Sequence, residues 1–418
     1  MAHTAIATTA SQLVAAAGDA TIGKIVISSQ ISDVPTFRLA PDQSLEGADD
    51  LATITFAGEA EGIQLSSNNR LHNLRLHVAP ERRAIFNDTS VETLGELTFS
   101  AITTTGRVQL LARDRLRSGH VSVNGLDIQA ADARGERDRP HGYGVDVLQG
   151  AFTLWNMQPD EEAAISADLV GLTVGRDGAP VLGSGVFVSG AGDTGGRLNV
   201  RRLETGAIYS DGKIASGTAD QISGGVFTVY GAHVEQVRNH GPVVTYGQND
   251  MVLDNWGVVE QWIADGPITS HGPSGIGFVN FGVVKELRVT APIETFGRGA
   301  RGFNVYTGTV HLAEFERIVT HADGAVGVQI SQPVGSIIVR GGIETFGGTG
   351  PSLVKGVMTT LSAIGLSIKP GGSAKSIEIS GGLKTNGAGV APIEQHGTVE
   401  RLSIEGGCVA AGGGFDQI

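Results

Sequence analysis

The sequence predicts an all-β protein, a single-stranded parallel β-helix in which successive coils of about 25 residues stack along one axis. Three observations carry this prediction. Branched residues return every 25 positions, glycine is abundant, and apolar and polar residues alternate within each repeat. The stride runs through Val243, Ile268, Ile293, Ile318 and Ile343 and resumes, after a gap of 40 positions, at Leu383 and Cys408.

The alternation favours strands over helices. Residues 292–297 read Pro-Ile-Glu-Thr-Phe-Gly, and residues 267–272 read Pro-Ile-Thr-Ser-His-Gly. The branched residue and the hydroxyl residue share one parity, which is the period of two expected for a strand. Glycine makes up 62 of the 418 residues, about twice the usual share. Glycines close many of these segments, where tight bends between short strands need positive φ angles.

The chain divides into a cap and one elongated domain. Residues 1–22 are predicted to cap the column, with a short helix that starts at Ser11 as N-cap and stops at Gly18. Residues 23–418 form the β-helix, with irregular coils over 23–223 and regular repeats over 224–414. The 40-residue gap places about 15 extra residues within 351–370, which predicts an enlarged coil or a projecting loop. Cys408 falls in the branched column and is expected to be a core thiol.

Two early segments suggest a family. Residues 37–47 read Phe-Arg-Leu-Ala-Pro-Asp-Gln-Ser-Leu-Glu-Gly, and residues 62–76 read Gly-Ile-Gln-Leu-Ser-Ser-Asn-Asn-Arg-Leu-His-Asn-Leu-Arg-Leu. This stretch resembles the opening coils of the pectin-lyase-like superfamily of right-handed β-helices. The resemblance implies a right-handed coil. Many members act on polysaccharides whereas others are adhesins or phage tailspikes, so the resemblance speaks for fold. The catalytic motifs of polygalacturonases are missing from the sequence, and the calcium-binding set of pectate lyases is not recognised.

The composition and the charge of the chain narrow the classes of binding partner and the expected location. The formal charge of −13 argues against nucleic acid, because a phosphate backbone requires clustered Lys and Arg. No stretch approaches the roughly 20 apolar residues of a membrane span, and no signal peptide is recognised, so cytoplasmic residence is the default unless an upstream signal was removed. One cysteine cannot form an intramolecular disulfide. No cofactor or metal is predicted, and self-association into homo-oligomers stays an open alternative.

Two aromatic columns are the first candidate binding features. Stacked about 4.8 Å apart, such rings suit the apolar faces of sugars, although they suit each other equally well. One column, the ring column, holds Tyr230, Trp256, Phe281 and Tyr306. The other, the outer ladder, holds Tyr246, His271, Phe296, His321 and Phe346.

A charged insertion over 132–143 is the second candidate feature, because insertions in a solenoid often build the binding groove. Its Arg139 and Tyr143 are predicted to contact a substrate together with the ring column. A solvated loop or a subunit contact would explain its alternating charges equally well.

The catalytic candidates are Asp250, Asp254, Glu294 and His271. Glycoside cleavage needs one carboxyl to protonate the leaving oxygen and a second to activate water or attack. Asp250 and Asp254 precede Trp256 of the ring column, which favours that pair.

Three classes of function follow. The sequence favours a glycoside hydrolase or lyase acting on a poly- or oligosaccharide. The alternatives are a glycan-binding or adhesive module without catalysis and a structural, self-associating rod. A groove shared by the ring column and the insertion would disfavour the bare rod.

Overall fold

The computed structural model describes residues 3–139, 144–354 and 356–415 and shows an all-β parallel solenoid. The predicted fold class is thereby confirmed. In the regular half each coil contributes three short strands, and each strand pairs in parallel with its equivalent one coil away. The first strands of the coils build a sheet of their own, whereas the second and third strands belong to one long sheet.

The cap consists of a strand and a helix, followed by the first irregular coils. Their elements are β1 (His3–Ala7), α1 (Ala10–Gly18), β2 (Ile22–Ile27), β3 (Ile31–Val34), β4 (Phe37–Arg38), β5 (Ser44–Gly47), β6 (Thr53–Phe56), β7 (Ile63–Leu65), β8 (Arg70–His77), β9 (Arg83–Asn87), β10 (Thr93–Thr105), β11 (Arg107–Ala112), β12 (Ser118–Ala130), β13 (Arg137–Asp138), β14 (Asp146–Leu148), β15 (Gly150–Asn156), β16 (Ala164–Val174), β17 (Val181–Leu182), β18 (Ser184–Ser189) and β19 (Arg197–Asp211).

Regular coils begin after β19, which pairs along its length with both β21 and β22 and so marks the change from one long strand to two short ones. Their elements are β20 (Gln221–Thr228), β21 (Ala232–Asn239), β22 (Val243–Thr245), β23 (Asp250–Asn255), β24 (Val258–Ala264), β25 (Ile268–Ser270), β26 (Ile276–Asn280), β27 (Val283–Val289), β28 (Ile293–Thr295), β29 (Arg301–Val305), β30 (Thr309–Phe315), β31 (Ile318–Thr320), β32 (Val326–Ile330), β33 (Pro333–Val339), β34 (Ile343–Thr345), β35 (Thr349–Val354), β36 (Val357–Ser362), β37 (Leu366–Ile368), β38 (Ser373–Ile379), β39 (Leu383–Thr385), β40 (Ile393–Gln395), β41 (Thr398–Val399), β42 (Leu402–Ile404) and β43 (Cys408–Ala410).

Residues at equivalent positions of successive 25-residue repeats are partners in the pairing of neighbouring strands. Ile268 pairs with Ile293, Ile293 pairs with Ile318, and the pairing continues through Ile343 to Leu383. All of these side chains are buried in one continuous hydrophobic core. The hydroxyl residues two positions later, such as Thr295 and Thr345, are buried as well. The column therefore forms because every coil covers the branched residue of the coil before it.

The helix of the cap starts earlier than predicted. Thr9, not Ser11, is the N-cap, because its Oγ1 accepts a hydrogen bond from the backbone N–H of Gln12 at 3.3 Å. The Gln12 side chain in turn accepts from the backbone N–H of Thr8 at 2.9 Å, a reciprocal arrangement that resembles a capping box. The helix ends at Gly18 as predicted.

Cys408 is exposed, so the expectation of a core thiol was wrong. Its backbone pairs with Leu383 as the register requires. No described strand packs over the other side of β43, however, and a position that is buried elsewhere in the column is accessible in this coil.

The break in the period is an antiparallel hairpin, residues Thr349–Ser362, formed by β35 and β36. The prediction of an enlarged coil was right about the place. The hairpin does not project into solvent along its whole length, because β35 folds back over earlier coils. Its Ser352 contacts Arg301, and its Leu353 contacts Ser274, 79 positions earlier in the chain.

Candidate functional site

The candidate site is a cleft on the outer face of the sheet formed by β20, β23, β26 and β29. Three excursions from the coils meet above this face. They are the described residues of the segment 131–149 between β12 and β15, the segment 212–220 between β19 and β20, and the hairpin. Insertions that converge on one flank of a solenoid commonly build its binding surface.

This aromatic cleft has a volume of about 330 Å³ and a mostly apolar lining, which is in the range of small-ligand sites. The first excursion supplies Gly144 and Val145, the second supplies Ala219, and the hairpin supplies Leu353 and Gly356. The strands and their turns supply the rest, namely Ile222, Tyr230, Asn249, Met251, Asp254, Trp256, Ser274, Ile276, Phe281, Tyr306 and Thr307. The ring column and two residues that directly follow the charged insertion, Gly144 and Val145, therefore border a common cleft.

Rings of the column stack on one another as well as lining the cleft. The centroids of Trp256 and Phe281 are 3.8 Å apart with an angle of 16° between the planes, and those of Phe281 and Tyr306 are 5.2 Å apart. Tyr230 meets Trp256 edge-on at 5.5 Å. Only 7% of Trp256 and 5% of Tyr306 are exposed. Tyr230 and Phe281 are partly exposed, so these two rings offer more accessible surface to a ligand than Trp256 and Tyr306 do.

Hydrogen bonds fix the walls of the cleft. The backbone N–H of Leu353 donates to Ser274 Oγ at 3.2 Å, which ties the hairpin to the turn before β26. Asn249 Nδ2 donates to the carbonyls of Thr218 and Gln221 at 3.2 and 3.3 Å, which ties the second excursion to the turn before β23. The hairpin and the second excursion are thus each anchored to the regular coils by a side chain of a turn.

Among the described residues, Asp254 is the one acidic residue that lines the cleft. It is fully buried, and neither of its carboxylate oxygens accepts a hydrogen bond of normal geometry from the described residues. Desolvation raises the pKa of Asp254 well above its usual value, and the indole of Trp256 lowers that pKa by a smaller amount. The protonated form of Asp254 is therefore favoured, and a protonated carboxyl can donate a hydrogen bond or a proton.

Asp250 lies four positions earlier in the same strand but does not line the cleft. It accepts hydrogen bonds from Ser223 Oγ at 2.6 Å and from the backbone N–H groups of Gly247 and Gly212 at 2.7 and 3.2 Å. Burial raises the pKa of Asp250 to about 7, and the nearby Asp211 carboxylate acts in the same direction. The structure thus places Asp250 as a buried support of two turns and does not bring it beside Asp254 as a second lining carboxyl.

Glu294 and His271 belong to a different part of the surface. His271 stacks between Tyr246 and Phe296 in the outer ladder, with centroid distances of 5.1 and 5.2 Å. Glu294 Oε1 lies 2.7 Å from Nε2 of His321 in the same ladder. Neither residue lines the aromatic cleft, so the four catalytic candidates do not form one constellation.

Of the two candidates in the charged insertion, Tyr143 lies outside the described residues. Arg139 donates from Nε to Asp146 Oδ1 at 2.9 Å and lies 4.0 Å from Asp220 of the second excursion. These contacts join the first and second excursions to each other. Arg139 acts as a link between two walls and does not line the cleft.

The sequence interpretation missed three polar residues on the same outer face, Arg301, Asn304 and Gln329. All three are buried, and each has at least one polar side-chain atom without a hydrogen bond among the described residues. A sequence signal for Arg301 existed. Arg301 stands 25 positions after Ile276 and 25 positions before Val326. The other members of this column, including Met251, are apolar.

No protein-family model, curated protein or solved structure matches the chain. The site must therefore be interpreted from its own geometry. In the described part of the chain no helix is long and apolar enough to cross a membrane. Among the same residues, no group of three or more His, Cys, Asp or Glu side chains is placed to hold a metal ion.

Proposed function

We propose that this protein binds a carbohydrate and that a sugar ring occupies the aromatic cleft. The observation that carries the proposal is the convergence of three separate excursions over one column of aromatic rings. A purely structural rod needs no such convergence, because each coil of a solenoid is already covered by its neighbours. Pockets with an apolar lining and a few polar groups are the usual form of small-ligand sites.

The chemistry of the lining suits a sugar. Aromatic rings and Met251 offer contacts to the C–H faces of a pyranose. The carboxyl of Asp254 offers a hydrogen bond, and Asn249, Ser274 and Thr307 add amide and hydroxyl groups to the lining. A hydroxylated ring with apolar faces matches both kinds of surface.

The test is Trp256→Ala in an assay of glycan binding. A glycan array first identifies ligands of the unchanged protein, and calorimetry then measures their affinity. We expect Trp256→Ala to weaken binding by about 1–3 kcal/mol, the scale of one lost aromatic contact. The matched control is Phe296→Ala, which removes a ring of the outer ladder and should leave affinity unchanged. An array without binding to acidic or neutral glycans would contradict the proposal.

A second candidate function, cleavage of the bound glycan, rests on one observation. Asp254 is a buried acid with a raised pKa in a site with stacked rings, and such an acid can protonate a leaving oxygen. Asp254→Asn should then spare glycan binding and abolish release of reducing ends, because the amide keeps the shape but cannot supply the proton. A binding module would show no release of reducing ends before or after the substitution.

A further inference from the structure

Three polar residues lie together beneath the hairpin. Arg301 and Asn304 belong to β29, and Asn304 pairs in register with Gln329 of β32, so their side chains are about one coil spacing apart. One coil earlier, the equivalents of Arg301 and Asn304 are Ile276 and Val279, which pack in one cluster with Tyr306 and Val354. Arg301 and Asn304 therefore share the outer face that the hairpin covers.

Arg301 is a buried cation without an acidic partner. Its guanidinium donates to the Gly299 carbonyl at 3.2 Å and to Ser352 Oγ at 3.0 Å, and its Nε donates to no described group. No carboxylate of the described residues lies within ion-pair distance of it, although the chain carries 43 acidic residues. A buried guanidinium that lacks a counter-charge costs free energy, which an anion would recover through charge-assisted hydrogen bonds.

The neighbouring amides are also incompletely bonded. Neither Nδ2 nor Oδ1 of Asn304 has a hydrogen bond, and Oε1 of Gln329 has none. Amide groups can turn either their NH₂ or their carbonyl side toward a ligand. Buried polar groups in proteins are nearly always satisfied, whereas Nε of Arg301, both polar side-chain atoms of Asn304 and Oε1 of Gln329 have no hydrogen bond among the described residues. This arrangement has the components of an oxyanion site.

The hairpin lies over Arg301. Its strand β35 contacts the coils through Ser352 and Leu353, whereas the start of β36 is exposed, with 66% of Val357 and 63% of Met358 accessible. A two-stranded hairpin has little stability of its own. Ser352 uses its hydroxyl both to accept from Arg301 and to donate to the Gly299 carbonyl at 2.9 Å, so displacement of Ser352 would free a guanidinium N–H.

We infer that Arg301, with the amides of Asn304 and Gln329, binds a small oxyanion beneath the hairpin, and that the ligand displaces the Ser352 hydroxyl. The oxyanion is a carboxylate, sulfate or phosphate group. This inference is independent of carbohydrate binding in the aromatic cleft, and either can fail without the other.

Calorimetric titration of the intact protein with acetate, sulfate and inorganic phosphate, at constant ionic strength in chloride, tests the inference. We expect one saturable site for at least one of these anions, and the preferred anion distinguishes a planar carboxylate from a tetrahedral group. Arg301→Gln should weaken this binding at least tenfold. Arg340→Gln, which removes an exposed arginine with a single ion pair, should leave it unchanged. Absence of saturable binding, or equal loss in both variants, would overturn the inference.

A second variant keeps the test decisive if Arg301→Gln does not fold. Ser352→Ala removes the hydroxyl that competes for the guanidinium and leaves Arg301 in place. Anion affinity should rise about threefold or more, and hydrogen exchange at residues 349–354 should change on addition of the anion. An unchanged affinity together with unchanged exchange would show that the hairpin does not cover an anion site.

Discussion

Asp250 and Asp254 show how strongly one strand can separate the behaviour of two identical residues. Three donors point at Asp250, so its charged form is partly compensated. At Asp254 the indole of Trp256 lowers the pKa by less than burial raises it, so desolvation dominates. The first residue is therefore suited to hold turns together and the second to meet a ligand. Two of the donors to Asp250, Ser223 Oγ and the N–H of Gly212, come from 27 and 38 positions earlier in the chain, which no local sequence pattern displays.

Replacing Asp250 by asparagine should change the pH dependence of stability. The pKa of Asp250 is about 7 in the folded chain, above the 3.8 of an ordinary aspartate. The stability due to its protonated form is thus fully present below about pH 3.8 and is lost as the pH rises to about 7. An amide can accept from Gly247 and donate to Ser223 without ionising. We expect Asp250→Asn to flatten the fall in unfolding free energy between pH 4 and 7.

Urea unfolding at pH 5 and pH 8 measures this effect. The variant should be more stable than the unchanged protein at pH 8, where the buried carboxylate is charged. Asp50→Asn, at an exposed turn, serves as the control and should leave the pH profile as it was. A fall in stability of equal size in Asp250→Asn and in the unchanged protein would refute the role assigned to Asp250.

At the scale of elements, the hairpin is an addition to the coil and not a part of it. The strands on either side of it, β34 and β37, pair with their equivalents in both neighbouring coils without its help. We expect replacement of residues 349–362 by a Gly-Gly link to lower the melting temperature only slightly, because loop length costs little entropy and because water can then solvate Arg301. Differential scanning calorimetry gives the measurement.

Deletion of one complete coil is the comparison for the hairpin deletion. Removal of residues 293–317 takes away β28, β29 and β30 with their pairings on both sides, so it should cost far more stability. Equal losses from the two deletions would mean that the hairpin is part of the core. The protein that lacks this coil should also lose any glycan binding, because Tyr306 is removed.

The sequence predicts the elements well where each coil repeats and poorly where it departs from the repeat. The stride through Ile268 and Ile293 predicts strand pairing directly, because both residues contact equivalent positions one coil away. It does not predict that Leu353 returns to Ser274, since a contact between residues so distant leaves no periodic trace. The ring column was therefore predicted as a candidate, whereas the cleft above it, the second excursion and the polar residues beneath the hairpin were not.

At the scale of the whole molecule, each coil is stabilised mainly by its two neighbours. A destabilising substitution in a central coil should therefore first unfold the coils around it. Ile293→Asp places an uncompensated charge in the buried column at a cost of several kcal/mol. We expect the melting temperature to fall and amide protection to be lost first in the coils around β28. Residues 22–130 should keep their protection at first.

Hydrogen exchange resolved by mass spectrometry measures this pattern. Glu294→Ala is the control, since Glu294 is only partly buried and its pairing with His321 lies at the surface, where an ion pair contributes little. A soluble Ile293→Asp protein with unchanged melting and exchange would contradict the column itself.

The return of the hairpin to earlier coils also has a mechanical consequence. Under a pulling force applied to the two ends, a plain solenoid would peel away one coil at a time. Here Ser352 and Leu353 hold on to Gly299 and Ser274 in coils that precede their own. Peeling from the C-terminal side would meet this strap before it reached β31, and a force trace should contain one larger step at that point.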